Sequence, residues 1–414
     1  MLQELGPWVG YVLDWFNLLL RWAHVVVAIA WVGSSFYFVW LDNSLTPPSD
    51  ESLQRKGVGG ELWAVHGGGF YNPQKYLGAP PKLPKHLHWF YWESYSTWLT
   101  GFALFTVIYL LNAGTFLIDK QLMDWSAGAA VAAALGFLAG FWLIYDLLCR
   151  TLGRMPGKDA WLGAAVALVV VAASWAACQL FAGRAAFLLV GAMLATTMSA
   201  NVFFWIIPGQ RKVVAAMQAG QPVDPVHGQR GKQRSVHNTY FTMPVLIAML
   251  SNHYPFVTGG AQNWLALVAL MLAGALIRHF FVARHKTEVH GKPAPWGWAV
   301  AGVMLLLAVA IWKAPVSPGA QAVSAPAPQA LTAAERLKQV RQIVDQRCVM
   351  CHNAQIANKG VALHTDALLN EHAQAVYQQA VVLKAMPMNN ATGITEDERV
   401  ALAQWFEQRQ SSGQ

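Results

Sequence analysis

The sequence predicts an all-α protein: an eight-helix transmembrane bundle followed by a small helical domain. Three observations carry this. Long apolar runs fill the first three quarters of the chain and stop before position 315. Lys and Arg concentrate in alternate connections between those runs, and a charge-free Pro/Ala stretch then separates them from a polar tail. With 55% hydrophobic residues, 12% charged residues and 19 tryptophans in 414 residues, the chain is far more apolar than a soluble protein of its length.

A helix crossing about 30 Å of hydrocarbon needs roughly 20 mainly apolar residues, and stretches at about 12–41, 95–115, 127–149, 161–181, 185–207, 238–257, 262–283 and 297–313 meet that test. The sixth contains Pro244 and several polar residues, which is tolerable where neighbouring helices satisfy the freed carbonyl. The first run is long and lacks a basic start and a small-residue cleavage site, so it reads as a retained helix.

Cytoplasmic connections carry the excess of Lys and Arg. The first connection holds Arg55, Lys56, Lys75, Lys82 and Lys85; the third holds Arg150, Arg154 and Lys158. The fifth holds Arg211, Lys212, Arg230, Lys232 and Arg234, and the seventh Arg284, Lys286 and Lys292, whereas the intervening ones offer little beyond Lys120 and Arg184. Both ends of the chain are therefore expected outside, consistent with an even number of spans. Because the net charge of +8 lies in these short clusters, with no single basic patch, nucleic acid is not an expected partner; the lipid bilayer is.

Residues 1–314 form the expected bundle, 315–330 (PVSPGAQAVSAPAPQA) an extended, semi-rigid tether, and 331–414 the small domain. Of the four cysteines, Cys149 and Cys178 lie in apolar runs and read as packing. Cys348-Val349-Met350-Cys351-His352 is the CxxCH signature, in which two thiols add to haem vinyl groups and the adjacent His352 supplies the proximal iron ligand. One covalent c-type haem is expected, making 331–414 a cytochrome c domain. A helix precedes the motif, roughly from Thr332 to Gln346, and the outside location is where such attachment happens. For the sixth ligand, Lys384-Ala385-Met386-Pro387-Met388-Asn389 offers a thioether beside a proline. Met386 is the expected ligand, with Met388 as rival and a bis-histidine iron through His364 or His372 as the other arrangement; a Met/His pair would raise the reduction potential. Thr395 to Glu407 reads as the closing helix, with Thr395 and Glu398 as a capping box.

Within the bundle, Asp14, Asn17, Arg21, His24, Ala28, Trp31 and Ser35 alternate spacings of three and four, so they share one face of the first helix. Ionisable groups in a bilayer are costly unless paired or hydrated, so Arg21 and His24 mark a site, unless they pair with Asp14 or Asp146 simply to hold helices together. On the sixth span, His237 and Asn238 lie about 15 residues, or roughly 22 Å of helix, from Asn252 and His253, too far to share one site. His279 beside Arg278 is a weaker candidate. The first connection carries His66-Gly67-Gly68-Gly69-Phe70-Tyr71 and Leu87-His88-Trp89-Phe90-Tyr91-Trp92-Glu93. Three glycines let backbone N–H groups approach an anion, and the aromatics suit stacking on a flat substrate, although a flexible loop and an interfacial belt explain them equally. Gly136 and Gly140 read as helix packing.

Leu20-Arg21-Trp22-Ala23-His24 and Ala30-Trp31-Val32-Gly33, followed by HGGGFY at 66–71, LHWFYWESY at 87–95, SVHNTYFTMPV at 235–245 and SNHYP at 251–255, resemble the bacterial membrane-bound urate oxidases that end in a cytochrome c domain. The similarity covers essentially the whole chain. It implies oxidation of urate to 5-hydroxyisourate at the bacterial inner membrane, with electrons passing to the haem and on to a soluble cytochrome c or terminal oxidase of the respiratory chain, and no hydrogen peroxide formed. Candidate catalytic residues drawn from these motifs are Arg21, His24, Trp31, His66, His88, Glu93, His237, Asn238 and His253. A planar, anionic purine suits Arg21, glycine N–H donors and stacking tryptophans, and His24 with Arg21 is the preferred base pair. Because one c-type haem takes one electron at a time, the alternatives are two sequential transfers or a second carrier, such as a non-covalent b-type haem on His24, His237 or His253. Competing functions are a quinol or porphyrinogen dehydrogenase and a membrane-anchored electron-transfer cytochrome without its own substrate. A single anchoring helix would suffice for the last.

Overall fold

Helix α1 (Pro7–Ser44) runs without interruption, and at 1.5 Å per residue its 38 residues extend about 57 Å, well beyond what hydrocarbon requires. The computed structural model describes residues 7–78, 80–120, 122–260, 262–314, 332–357 and 360–412; the expected tether at 315–330 and the side chain of Asp14 lie outside the described residues.

After α1 comes the short helix α2 (Glu51–Arg55), which Asp50 caps by accepting from the Ser52 N–H. Two small antiparallel ladders follow within the first connection, a departure from the all-α expectation. Strand β1 (Val58–Glu61) pairs with β4 (Gln74–Tyr76), and between them β2 (Ala64–His66) pairs with β3 (Gly69–Tyr71). The β2–β3 link is Gly67-Gly68 with φ of +58° and +80°. Two consecutive positive φ values are what a tight two-residue hairpin turn demands, so these glycines have a local backbone reason for being there.

Helix α3 (Trp92–Phe105) passes through a wide turn at Thr106–Leu110 into α4 (Ala113–Phe116). Next come α5 (Ala127–Thr151), started by the Ser126 cap, and α6 (Asp159–Leu180). Helix α7 (Gly183–Asn201) widens at Val202–Ile206 and continues as α8 (Ile207–Gln218). Helix α9 (Pro225–Leu250) has Asp224 as its cap, Pro225 in its first turn and Pro244 inside; α10 (Pro255–Thr258), α11 (Asn263–Val289) and α12 (Trp296–Trp312) complete this part.

Among the described residues, five helical stretches are long and apolar enough to cross a membrane: Trp15–Ser44, Ala127–Arg154, Asp159–Leu180, Gly183–Gln218 and Asn263–Val289. The other expected spans fall on α3, which is broken by its wide turn, on α9, whose first half is strongly polar, and on the short apolar α12. All three pack into the bundle, α3 against α1 and α7, α9 against α7 and α11, α12 against α11. Helix α7 lies at the centre, with Phe187, Leu189, Val190, Met193 and Leu194 all at 1% exposure or less. A helix apolar on every side is stable only when surrounded, and α3, α5, α6 and α9 surround this one.

The C-terminal domain contains α13 (Ala333–Arg347), α14 (Asp366–Glu371), α15 (Ala373–Val376) with a wide turn at Tyr377–Val382, and α16 (Glu396–Ser412). Helices α13 and α16 pack on each other over a core of Val340, Val344, Leu369, Leu402, Trp405 and Phe406, with Tyr377 stacked on Phe406 at 4.4 Å. The Thr332/Glu335 capping box starts α13, and Thr395 with Glu398 forms the expected reciprocal pair at the start of α16. The turn Met388–Asn390 lies against α4 of the bundle.

Candidate functional site

The first-helix stripe faces a cavity of about 360 Å³ between α1, α3, α7 and the end of α9. That volume is within the range of small-molecule sites. Arg21, His24 and Trp31 line it from α1, Tyr109 from the wide turn after α3, and Asn252 with His253 from the turn after α9. Sequence spacing placed the first three on one face; only the fold adds His253 and the pair Tyr109–Asn252, whose hydroxyl and side-chain oxygen are 2.9 Å apart.

Arg21 is oriented within its own helix, its Nε donating to Asn17 Oδ1 at 2.7 Å, so Asn17 sets the guanidinium in the cavity wall. His24 Nδ1 lies 3.0 Å from Thr100 Oγ1, and that hydroxyl also reaches the Ser96 carbonyl at 2.7 Å. A carbonyl can only accept, so the hydroxyl proton goes to Ser96 and Thr100 accepts from Nδ1–H of His24. Neutral His24 then carries its free lone pair on Nε2. Gly101 makes this approach of α3 feasible, since a Cβ there would stand 2.8 Å from His24 Cε1. Above these groups Trp98 and Phe102 stack nearly parallel at 5.1 Å.

His237 and Asn238 belong to a different environment, as their distance from His253 along the helix implied. Tyr145 lies between them and α7: its hydroxyl accepts from Asn201 Nδ2 at 3.0 Å and meets His237 Nδ1 at 2.8 Å. Asn201 also donates to Asn238 Oδ1 at 2.9 Å, and Asn238 Nδ2 donates to the Met198 carbonyl at 3.0 Å. Beside this chain, Asp146 receives Arg234 at 2.7 Å, Arg150 at 2.5 Å and the Trp205 indole N–H at 2.8 Å. Asp146 is thus committed to these partners. The network is buried and mutually satisfied, which suits a structural clamp between α5, α7 and α9. Tyr145 and Asn201 were not singled out from sequence, and Arg234, read there as a topology charge of the fifth connection, is instead buried within α9 at 2% exposure because it pairs with Asp146.

Arg278 was given little weight, yet it is 1% exposed, with its guanidinium 3.5 Å over the Phe36 ring. It donates to the carbonyls of Thr239 at 3.3 Å and Ser35 at 3.5 Å, and next to it His279 meets the Tyr240 hydroxyl at 2.7 Å. The remaining motif residues do not join the main cavity. His66 ends β2 at an exposed position, His88 rests its ring against Phe90 at 4.6 Å, and Glu93 begins α3. The aromatics around them are occupied by packing, Phe90 against Phe38 and Tyr95 against Phe203.

In the C-terminal domain, α13 delivers Cys348 at its end, where the Cys348 N–H still donates to the Val344 carbonyl. Burial pushes the Cys348 thiol up to about 11, and neither Cys348 nor Cys351 is in a disulfide. His352 donates from Nδ1 to the Val361 carbonyl at 2.9 Å, which leaves the Nε2 lone pair free for a ligand. The Met386 segment is pinned: Arg399 donates to the Met386 carbonyl at 2.9 Å and also to that of Ala380, while the Ala385 and Met386 N–H groups donate to the Gln379 carbonyl at 2.8 and 3.0 Å. Two free thiols, a tautomer-fixed histidine and a held thioether are a donor set that fits a covalent haem.

No curated protein and no solved structure matches the chain at a significant level. The sequence model of a family described as urate oxidase N-terminal matches residues 10–314, which takes in the polar stripe, the cavity and every helix of the bundle. A match over most of the chain shows that the protein belongs to the urate oxidase N-terminal family, a family of urate-related oxidation.

Proposed function

We propose that the protein oxidises urate to 5-hydroxyisourate in the cavity between α1, α3 and α9 and delivers the electrons to a c-type haem on Cys348, Cys351 and His352. The observation that carries this reading is the convergence of Arg21, His24, Trp31 and His253 on one cavity inside a urate oxidase family domain. The overall change is urate plus water to 5-hydroxyisourate, two protons and two electrons. Arg21 pairs with the urate anion, and the ring plane lies along the Trp31 and Trp98 walls. His24 Nε2 accepts a proton from the attacking water, with Thr100 holding the ring in position. Tyr109, Asn252 and His253 supply the polar groups for the purine edge. When bound, the haem accepts one electron at a time, so two successive transfers complete one turnover.

In this reading the bundle has eight spans in a bacterial inner membrane, both termini and the C-terminal domain are periplasmic, and Met386 with His352 would hold the haem iron. The onward acceptor is a soluble cytochrome c or a terminal oxidase, and no hydrogen peroxide is formed. Anaerobic addition of urate to oxidised membranes containing the protein tests it: the haem should become reduced. An intact haem that urate leaves oxidised would overturn the assignment. A pyridine haemochrome spectrum with a c-type band alone, at one haem per chain, excludes a b-type haem on His24 and His253.

A second reading is favoured by one feature. An aromatic groove lined by Trp92, Tyr95, Trp98, Trp142, Phe203 and Phe204 shares Trp98 and Thr196 with the main cavity. A lipid-soluble quinol would suit that groove, and haem reduction by a quinol in the absence of urate would establish it.

A further inference from the structure

We propose that the contact between α4 and the turn Met388–Asn390 is the place where electrons leave the bundle, with Phe116 bridging Tyr109 to the loop that carries Met386. The proposal rests on the oxidation assigned above to the main cavity.

Tyr109 belongs to the cavity wall, with its hydroxyl on Asn252 and its ring stacked on Phe105 at 5.8 Å. Its other side meets Phe116 edge-on at 5.7 Å. Phe116 is the last residue of α4, and α4 is the element against which the turn Met388–Asn390 rests, two residues beyond Met386. Packed aromatic side chains therefore lead from the cavity wall to α4, the element on which the turn of the C-terminal domain rests.

Both sides of that contact are anchored. Leu117 and Ile118, immediately after α4, are at 0% and 5% exposure, and the Leu117 carbonyl accepts from the Ala182 N–H at 2.9 Å. On the other side, Arg399 and Gln379 hold the Met386 segment by the hydrogen bonds described above. Electron transfer rates fall exponentially with the gap to be crossed, so a contact anchored on both sides serves transfer better than a mobile one. Each urate yields two electrons, which cross one after the other, while the two protons released remain on the cavity side with His24 and solvent. No bond forms or breaks at Tyr109 or Phe116.

The test uses full-length holoprotein. Gly114 and Ala391 are exposed on either side of the contact, and a side chain at Gly114 meets nothing within 4 Å. Cys149 and Cys178 are buried, and in the holoprotein Cys348 and Cys351 are engaged by haem, so Gly114→Cys with Ala391→Cys gives a clean pair for a short bis-maleimide. We expect efficient cross-linking of this pair but not of Gly114→Cys with Gln374→Cys, which lies on α15. The locked protein should still show urate-driven haem reduction at the wild-type single-turnover rate. Phe116→Leu should slow that reduction at least several-fold, with urate binding and reduction of the haem by ascorbate unchanged. Absent cross-linking, a locked protein that urate no longer reduces, or a wild-type rate in Phe116→Leu would each overturn the proposal. Should Phe116→Leu not fold, the locked pair decides alone. Failure of urate to reduce wild-type haem would instead refute the parent assignment, and the cross-link would still report whether the contact exists.

Discussion

Thr100 decides which nitrogen of His24 faces the cavity, because its own proton is already given to Ser96. Substituting Arg21→Gln or His24→Gln is therefore expected to abolish urate-driven haem reduction while the haem stays attached; wild-type rates in either variant, followed anaerobically by visible absorption, would remove these residues from the site. Gly101 gives an independent handle on the same geometry. In Gly101→Ala the new methyl group meets the His24 ring at 2.8 Å and must displace it. A misplacement of about 1 Å in a catalytic group can cost up to roughly 100-fold, so turnover should fall by about 10- to 100-fold without loss of the folded bundle. Steady-state kinetics with circular dichroism check both parts.

At the scale of elements, the bundle and the C-terminal domain are held by different physics. Helices α5 and α9 are joined inside the bundle by Asp146 with Arg234, both nearly inaccessible, and Arg234 also reaches Asn201 of α7. Removing one partner of a buried pair costs about 3–5 kcal/mol, because the other charge is stranded, so Asp146→Ala should lower the thermal midpoint sharply even though it touches no cavity residue. Differential scanning fluorimetry in detergent would show it. In the C-terminal domain, α16 depends on its first turn. Burial alone would raise the Glu398 carboxyl, but the Thr395 N–H at 2.7 Å and the Arg347 guanidinium at 3.1 Å outweigh it and hold the group below the ordinary glutamate range. A depressed carboxyl pKa stabilises the fold above the ordinary value, and that contribution is lost as pH falls through the folded value. The C-terminal domain should thus lose stability on acidification below the ordinary glutamate range, and Glu398→Gln should flatten that dependence in thermal melts taken as a function of pH.

For the whole molecule, chemistry and electron exit are assigned to separately built parts. The bundle core around α7 and the core between α13 and α16 share no buried residues. Cys348→Ser with Cys351→Ser should accordingly eliminate the haem band and urate-driven electron transfer, yet leave urate binding to the bundle intact, as measured by equilibrium dialysis of labelled urate. Loss of urate binding in this variant would show that the two parts are not independent.

Much of this architecture was legible in the chain. Apolar runs located the long helices α1, α5, α6, α7 and α11, because a helix satisfies its own backbone hydrogen bonds in lipid, but they gave no sign of α2, α8 or the polar first half of α9. The three-and-four spacing put Arg21, His24 and Trp31 on one face, and CxxCH pointed within five residues to the haem that the proposed function invokes. His237 and His253 were separable by helix rise alone. What needed the tertiary structure was every relation between distant segments. The Gly67-Gly68 pair proved to be a hairpin turn, and His66, His88 and Glu93 lie outside the cavity that Arg21 lines. Tyr145, Asn201 and Arg278 are ordinary residues in sequence, and only burial makes their polar atoms consequential. Periodicity reports which residues share a face of one helix; which helix that face meets, and hence whether His253, Tyr109 and Phe116 join it, is set by packing around α7.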